Sequence, residues 1–448
     1  MPWLLRPVDG AGLAVFRILF GLLMCGGLVR FMLSGWIERF YGQPTFFFKY
    51  PGFEWIEPLS VGGMYALYAT LAVLGLFIAG GLFYRASVAL FLLGFSYAQL
   101  IDVTNYLNHY YLVCWLCVLL LVVPAHRLWS LDARRKPALR SATIPAWAVY
   151  LLRFQVGMVY FFAGLAKLNT DWLLHAQPLG IWLSARTETA IIGPWLDEIW
   201  VAFLFSWAGF LFDLTIAAWL SWRKTRTGAY LVLLLFHFMT HVFFNIGLFP
   251  FIMTLAATVF FDPGWPRRLL GSARPTLASI PRPAWTTRRR ATAAIAGAYV
   301  LFSVLVPLRH YLYPGDVSWN EEGMRWSWKV MLREKHGAVT YFVRLEDGRE
   351  LEISPRRYLG ARQEREMAGQ PDLIVQLARH IGNDFRRRGY GPVEVRAEAL
   401  VSWNGRPAHP MIDPSADLLK VDASLAPAHW ILPEPSSKPI RLRPRARL

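Results

Sequence analysis

Val61-Gly-Gly-Met-Tyr-Ala-Leu-Tyr-Ala-Thr-Leu-Ala-Val-Leu-Gly-Leu-Phe-Ile-Ala-Gly-Gly-Leu-Phe83 runs for 23 residues without a charge. A helix crossing a ~30 Å hydrocarbon layer takes roughly 17–25 apolar residues, so this stretch makes the chain a membrane protein. Further candidates lie near 11–33, 86–101, 110–124 and 146–168, then 199–222, 228–244, 245–261 and 291–307. Those at 86–101 and 110–124 are short, and 228–261 reads as two crossings joined at Asn245-Ile246-Gly247. Composition agrees: of 448 residues 55% are hydrophobic and 17% charged, with mean hydropathy +0.33. Such a chain is not disordered, and it does not read as a soluble enzyme. The three cysteines (Cys25, Cys114, Cys117) all sit in apolar runs and build no disulfide framework. The first span carries Arg17 and has no small-residue cleavage site, so no cleavable signal peptide is expected.

The formal net charge of +17 suggests a nucleic-acid partner until the charges are placed. Nine crossings put Arg85, the 127–140 cluster, Arg223, Lys224, Arg226 and the 267–290 cluster on one side, sixteen basic residues together. The opposite loops carry only Arg39, Lys49 and Arg186. By the positive-inside rule the first side is cytoplasmic, the N-terminus is inside and the chain beyond Arg309 is outside. The excess charge is therefore an orientation signal, and no nucleic acid is expected.

The fold class follows: an α-helical integral membrane bundle of about nine transmembrane helices with a small C-terminal α+β or β-rich extracytoplasmic domain. Residues 1–309 form the helical domain, 310–432 the outer domain and 433–448 a disordered basic tail. After His310 the composition turns soluble, with 22 Lys+Arg and 18 Asp+Glu. Val339–Leu345 and Glu350–Ser354 flank Glu346-Asp-Gly-Arg349, a β-hairpin turn. Asp372–Arg388 has helical periodicity, stopped by Gly389 and Gly391, and Val393–Trp403 reads as a strand.

Ionisable groups inside spans are costly, so each is a functional candidate. Lys167 is the only lysine in any span, near the outer end of the fifth. An amine kept from water favours its neutral form, which a general base requires; a lysine at a helix end can equally snorkel to the headgroups. His237, His241 and Asn245 share one face of the seventh span, as helix–helix hydrogen bonds or as two metal ligands without an obvious third. Asn108 and His109 open the fourth span on the outer side, where capping would also explain them. Asp213 and Arg153 read as an internal ion pair or helix contacts, and Cys114-Trp-Leu-Cys117 as packing. His109, Lys167, His241 and Asn245 fall towards the outer half of the bilayer, with His237 somewhat deeper. A pocket there would be open to lipid-soluble molecules from the side and to the outer domain from above.

At these residues the sequence resembles the vitamin K-dependent γ-glutamyl carboxylase family, part of the group with a horizontally transferred transmembrane domain. The matching stretches are Leu13-Ala-Val-Phe-Arg-Ile-Leu-Phe-Gly21, Asn108-His-Tyr-Tyr-Leu112 and Tyr160-Phe-Phe-Ala-Gly-Leu-Ala-Lys-Leu-Asn-Thr-Asp-Trp172. Phe236-His-Phe-Met239, Ile246-Gly-Leu-Phe249, Trp265-Pro-Arg-Arg268, Trp326-Ser-Trp-Lys-Val-Met331 and Asp413-Pro414 follow in order.

The resemblance implies that Lys167 deprotonates vitamin K hydroquinone, whose reaction with O2 gives a strong alkoxide base and finally the epoxide. That base takes a glutamate γ-proton, and CO2 adds to the carbanion. Asn108 and His109 would orient the quinol or hold developing oxyanion charge. Tyr160 and His237 would form the pocket wall, with Trp328 and Met331 hanging over it from the outer domain. His241, with Thr240, replaces other polar residues of the family there and would change the pocket's hydrogen bonding to the quinol. No metal is expected. The implied partners are the lipid membrane, a phylloquinol- or menaquinol-type hydroquinone and an exported Glu-containing peptide or protein.

Two departures qualify this. Animal members have two adjacent lysines where this chain has Ala166-Lys167, and its outer region, about 130 residues, is far shorter than theirs. A quinol epoxidase without protein carboxylation, and a non-enzymatic membrane scaffold or transporter, stand as alternatives. The Ala- and Arg-heavy linker and compact outer domain point to a bacterial cytoplasmic membrane.

Overall fold

The computed structural model describes residues 2–439 apart from 245, 274, 276–285 and 423–425. Asn245, part of the basic 267–290 cluster and the tail from 440 onward therefore lie outside the described residues. Every apolar stretch forms a helix. These are α1 (Ala11–Leu33), α2 (Val61–Gly80), α3 (Tyr84–Leu100), α4 (Asn108–Val122) and α5 (Ala146–Ala166). After the short α6 (Thr170–His175) and α7 (Leu179–Ser184) come α8 (Ile199–Ser221), α9 (Arg226–Phe243), α10 (Phe249–Ala257) and α11 (Thr287–Leu308). Six helices among the described residues are long and apolar enough to cross a membrane, namely α1, α2, α5, α8, α9 and α11. α4 and α10 are apolar but shorter, and α3 has 17 residues.

Small residues let the helices touch. A Cβ at Gly21 of α1 would lie 2.4 Å from the Gly75 carbonyl oxygen of α2, and one at Gly164 of α5 would lie 2.6 Å from the Leu214 nitrogen of α8. Helices in lipid associate through such close backbone packing rather than through a hydrophobic drive.

The two ends of the bundle differ. At one, β1 (Pro7–Asp9) pairs antiparallel with β2 (Thr143–Pro145), and Asp9 bridges Arg267 at 2.9 Å. Arg17, fully buried, donates to the carbonyls of Ala79 (3.2 Å), Ala125 (2.8 Å), Leu128 (3.3 Å) and Trp129 (2.6 Å). It thereby ties the end of α2 to the turn that follows α4 with bonds that a low-dielectric setting strengthens. Arg153 also serves this end, donating to the carbonyls of Val259 (2.8 Å) and Phe261 (2.9 Å). It does not meet Asp213, so the pairing open in the sequence does not form.

The other end carries the C-terminal region, a four-stranded antiparallel sheet. Its strands are β3 (Lys335–Arg344), β4 (Glu350–Ile353), β5 (Glu394–Trp403) and β6 (His409–Pro410), ordered β4-β3-β5-β6. The expected hairpin forms, closed by Leu345 N–H donating to Arg349 O at 2.9 Å. β5 alternates as a half-covered strand should, burying Val395, Ala397, Ala399, Val401 and Trp403. Against the sheet lie α12 (Ala361–Ala368) and α13 (Pro371–Arg387), the latter burying Leu373, Leu377, Ile381 and Phe385 at helical spacing. This core is completed from the bundle: Phe48 and Tyr50 of the α1–α2 loop and Val103 of the α3–α4 loop are buried in it. Each such burial is worth about 1.5–3 kcal/mol, so the sheet region is docked firmly.

Gly21→Leu must displace the α2 backbone, whereas a Cβ at Gly26 on the same helix meets nothing within 4 Å. Overpacking costs about 1–3 kcal/mol. Gly21→Leu should therefore lower the thermal midpoint in detergent while Gly26→Leu does not; equal midpoints would show that the α1–α2 contact carries no such constraint.

Candidate active site

Lys167 caps the C-terminus of α5, and its Nζ turns back to donate to the Ala163 carbonyl at 3.2 Å. A cation suits this position because helix-end carbonyls concentrate negative potential. The close approach at Gly164 brings α8 alongside, and Nζ also donates to Asp213 Oδ2 at 2.8 Å. Both side chains are almost wholly buried, at 7% and 8% exposure. Trp172 of α6 covers the amine with its ring, 5.1 Å from Nζ to the centroid. That indole is itself fixed, since Trp172 Nε1 donates to the Ser206 carbonyl at 2.8 Å.

The Lys167–Asp213 pair opens onto a cavity of about 360 Å3 between α5, α8 and α9, lined also by Val330 and Met331 from the segment before β3. The rest of the wall is chiefly apolar, including Val159, Leu204, Phe205, Phe236, Phe243 and Phe249. On it a second polar pair forms, Tyr160 hydroxyl and His237 Nε2 at 2.7 Å. His237 Nδ1 is buried without a hydrogen-bond partner among the described residues. A dry cavity with two polar points is the usual form of a small-molecule site, and its size falls in the ~300–1,000 Å3 range of such sites. An orphaned ring nitrogen and a buried amine also fit a flat ligand with oxygens at its two ends.

The other expected residues are distributed around this cavity. His109 is buried behind it, its ring 6.2 Å from that of Phe249, which lies 6.1 Å from His237 on its other contact. Asn108 holds the outer segment: its Nδ2 donates to the Lys329 carbonyl at 3.2 Å, and its Oδ1 accepts from the Tyr106 hydroxyl at 3.0 Å. Trp328 is buried against Tyr111, ring centroids 4.8 Å apart, and does not line the cavity, whereas Met331 does. His241 is exposed and packs on Phe251, 5.1 Å between centroids, so it lies off the cavity wall. Among the described residues no group of three or more His, Cys, Asp or Glu could hold a metal ion.

Sequence reasoning left Asp213 without its partner, although a signal was present: it is the only carboxylate in the expected spans, as Lys167 is the only lysine. Trp172, Trp182, Val330 and the phenylalanines gave no such signal.

The outer region also grips this site. Asp171, beside Trp172, receives both guanidinium nitrogens of Arg406 at 2.6 Å and Asn404 Nδ2 at 2.9 Å. Trp182 Nε1 of α7 donates to Glu334 Oε2 at 2.5 Å.

Compared with known families, the chain matches the HTTM domain over residues 5–265. It matches the lumenal domain of vitamin K-dependent gamma-carboxylase over 288–437. No solved structure matches it.

Removing one partner of a buried ion pair costs about 3–5 kcal/mol, while replacing both by apolar groups is often neutral. Asp213→Leu alone should therefore depress the thermal midpoint strongly, and the Lys167→Met/Asp213→Leu double variant should recover most of the loss. Additive losses in the double variant would contradict a coupled pair.

Proposed function

The chain belongs to the vitamin K-dependent γ-glutamyl carboxylase family, and from that membership we propose that it couples oxygenation of a reduced naphthoquinone to carboxylation of glutamate side chains on an exported polypeptide. The observation that carries this reading is the buried Lys167–Asp213 pair on the wall of an apolar cavity. When bound there, the quinol supplies the chemistry, its reaction with O2 yielding the base that takes a glutamate γ-proton before CO2 adds.

The residues have distinct tasks in this reading. With one proton between them, Lys167 and Asp213 are net neutral whether the proton sits on Nζ or on the carboxyl, so burial alone does not fix its position. With the proton on Asp213, Lys167 Nζ is a free amine that accepts a hydroxyl proton from the ligand. The proton leaves an oxyanion on the ligand beside the new ammonium, and Asp213, still protonated, accepts from that ammonium through Oδ2 at 2.8 Å. With Tyr160 donating to His237 Nε2, Nδ1 carries the ring hydrogen and is a donor for a ligand oxygen. The phenylalanine wall excludes water, which strengthens each of these contacts. His109 and Asn108 act behind this layer, the first by backing Phe249 and the second by holding the segment that bears Met331.

The proposal includes nine crossings of a bacterial cytoplasmic membrane, with the N-terminus inside and the sheet region outside. In its support, the loops at the sheet-bearing end are the ones poor in Lys and Arg, while Arg17, Arg153 and Arg267 gather at the opposite end. A second reading, quinol oxygenation without carboxylation, draws on the cavity itself, whose apolar wall accounts for the quinol and not for a glutamate.

Purified protein should convert reduced vitamin K to its epoxide, and Lys167→Ala should reduce the rate at least a hundredfold. Epoxide at the wild-type rate from the variant, or none from the wild type, removes the proposal. Incorporation of labelled CO2 into a Glu peptide separates carboxylase from epoxidase.

A further inference from the structure

Within the six residues Trp326–Met331, between the bundle and the sheet, three hold left-handed backbone: Trp326 (φ 64°), Trp328 (φ 56°) and Met331 (φ 49°). Non-glycine residues persist in this region only when their surroundings over-determine them, and such positions cluster at functional sites. The surroundings are explicit here. Trp326 N–H donates to the Tyr106 hydroxyl at 2.8 Å, Tyr106 donates to Asn108, and Asn108 donates to the Lys329 carbonyl. Arg309 lies over the Trp326 ring at 5.5 Å, and Ser327 Oγ donates to the Gly323 carbonyl.

What this bracing presents is the side chain of Lys329. It lines two polar cavities at the base of the outer region, of about 240 and 200 Å3. The second shares Met331 with the apolar cavity, so the two meet at that residue. The other cations of the second cavity are already engaged. Arg325 is bidentate to Asp372 at 2.7 and 3.2 Å, and Arg333 Nη2 donates to Glu321 Oε2 at 2.8 Å. Lys329 Nζ has neither a hydrogen bond nor an ion pair among the described residues. Burial lowers its pKa to about 8, against Asp316 and Glu321, which raise it, so it is mostly a cation at neutral pH. A partly buried ammonium without a direct partner on a braced loop is suited to take an anion.

We propose that Lys329 docks a carboxylate arriving from the outer side, next to the Met331 wall of the apolar cavity. The ligand class, a glutamyl side chain or bicarbonate, rests on the carboxylase reading; the anion site itself does not. A carboxylate held there stands at the boundary between the polar and apolar cavities, where a group must wait to be handed to the chemistry beyond Met331.

The test reads binding without turnover. The full chain in nanodiscs is titrated with a labelled Glu-containing peptide, with the same peptide carrying Gln, and with bicarbonate as competitor. The expected result is at least a tenfold preference for Glu over Gln, lost in Lys329→Gln and largely kept in Lys329→Arg. Displacement by millimolar bicarbonate without any Glu preference, again dependent on Lys329, would assign the site to the inorganic anion instead. Carbodiimide coupling of the bound Glu peptide to the wild-type protein gives a readout independent of any variant's folding, with the new amide expected at Lys329. Equal binding of Glu and Gln peptides without bicarbonate competition, or coupling only at other lysines, overturns the proposal. Glu binding at Lys329 in a protein that makes no epoxide would leave this site standing and remove the carboxylase reading.

Discussion

The ion pair between Lys167 and Asp213 is the constraint around which the rest of the molecule is arranged. Neither charge is tolerable alone in an apolar wall, so both helices must meet at one height and one rotation. Gly164 makes that possible by removing the side chain that would hold α5 and α8 apart. Trp172 then covers the amine, and Ser206 fixes Trp172. A buried amine is thus enclosed by its carboxylate partner and by an indole that is itself held in place.

The outer region extends this arrangement. Arg406 and Asn404, at the end of β5, reach down to Asp171, one residue from the indole that covers Lys167. Glu334, just before β3, holds Trp182 on the cavity rim. The sheet is therefore coupled to the amine through two short helices, and a change in how the sheet is seated would be felt at Trp172 first. Asn108 works in the opposite direction, from the bundle upward, bracing the segment that roofs the cavity.

Much of the fold was legible because hydrophobicity is a local property of the sequence. The helices, the end of the bundle that carries the sheet and the hairpin at Glu346–Arg349 follow from runs, loop charges and turn residues. The position of Lys167 at the end of α5 was legible for the same reason. What was not legible depends on rotation and on long-range pairing. His241 lies one turn from His237 on the same face of α9, yet the helix ends there and its ring turns outward to Phe251. Arg153 and Asp213 looked like partners because both are charged and buried, and only the crossing of α5 and α8 shows that Lys167 takes the carboxylate. Asn108 and His109 are neighbours in sequence, but successive helical residues point about 100° apart, so one faces the roof and the other the back of Phe249.

Phe48, Tyr50 and Val103 complete a sheet core whose other members lie some 220 to 370 residues later in the chain. During synthesis these loops emerge long before β3–β6 exist, and their aromatic surface stays uncovered until the last quarter of the chain arrives. Contacts this distant in sequence close late and slowly. The final step of assembly is then the seating of the sheet on loops already in place, and with it the roofing of the cavity. An incompletely synthesised chain would have its lysine in position but its cavity open to water.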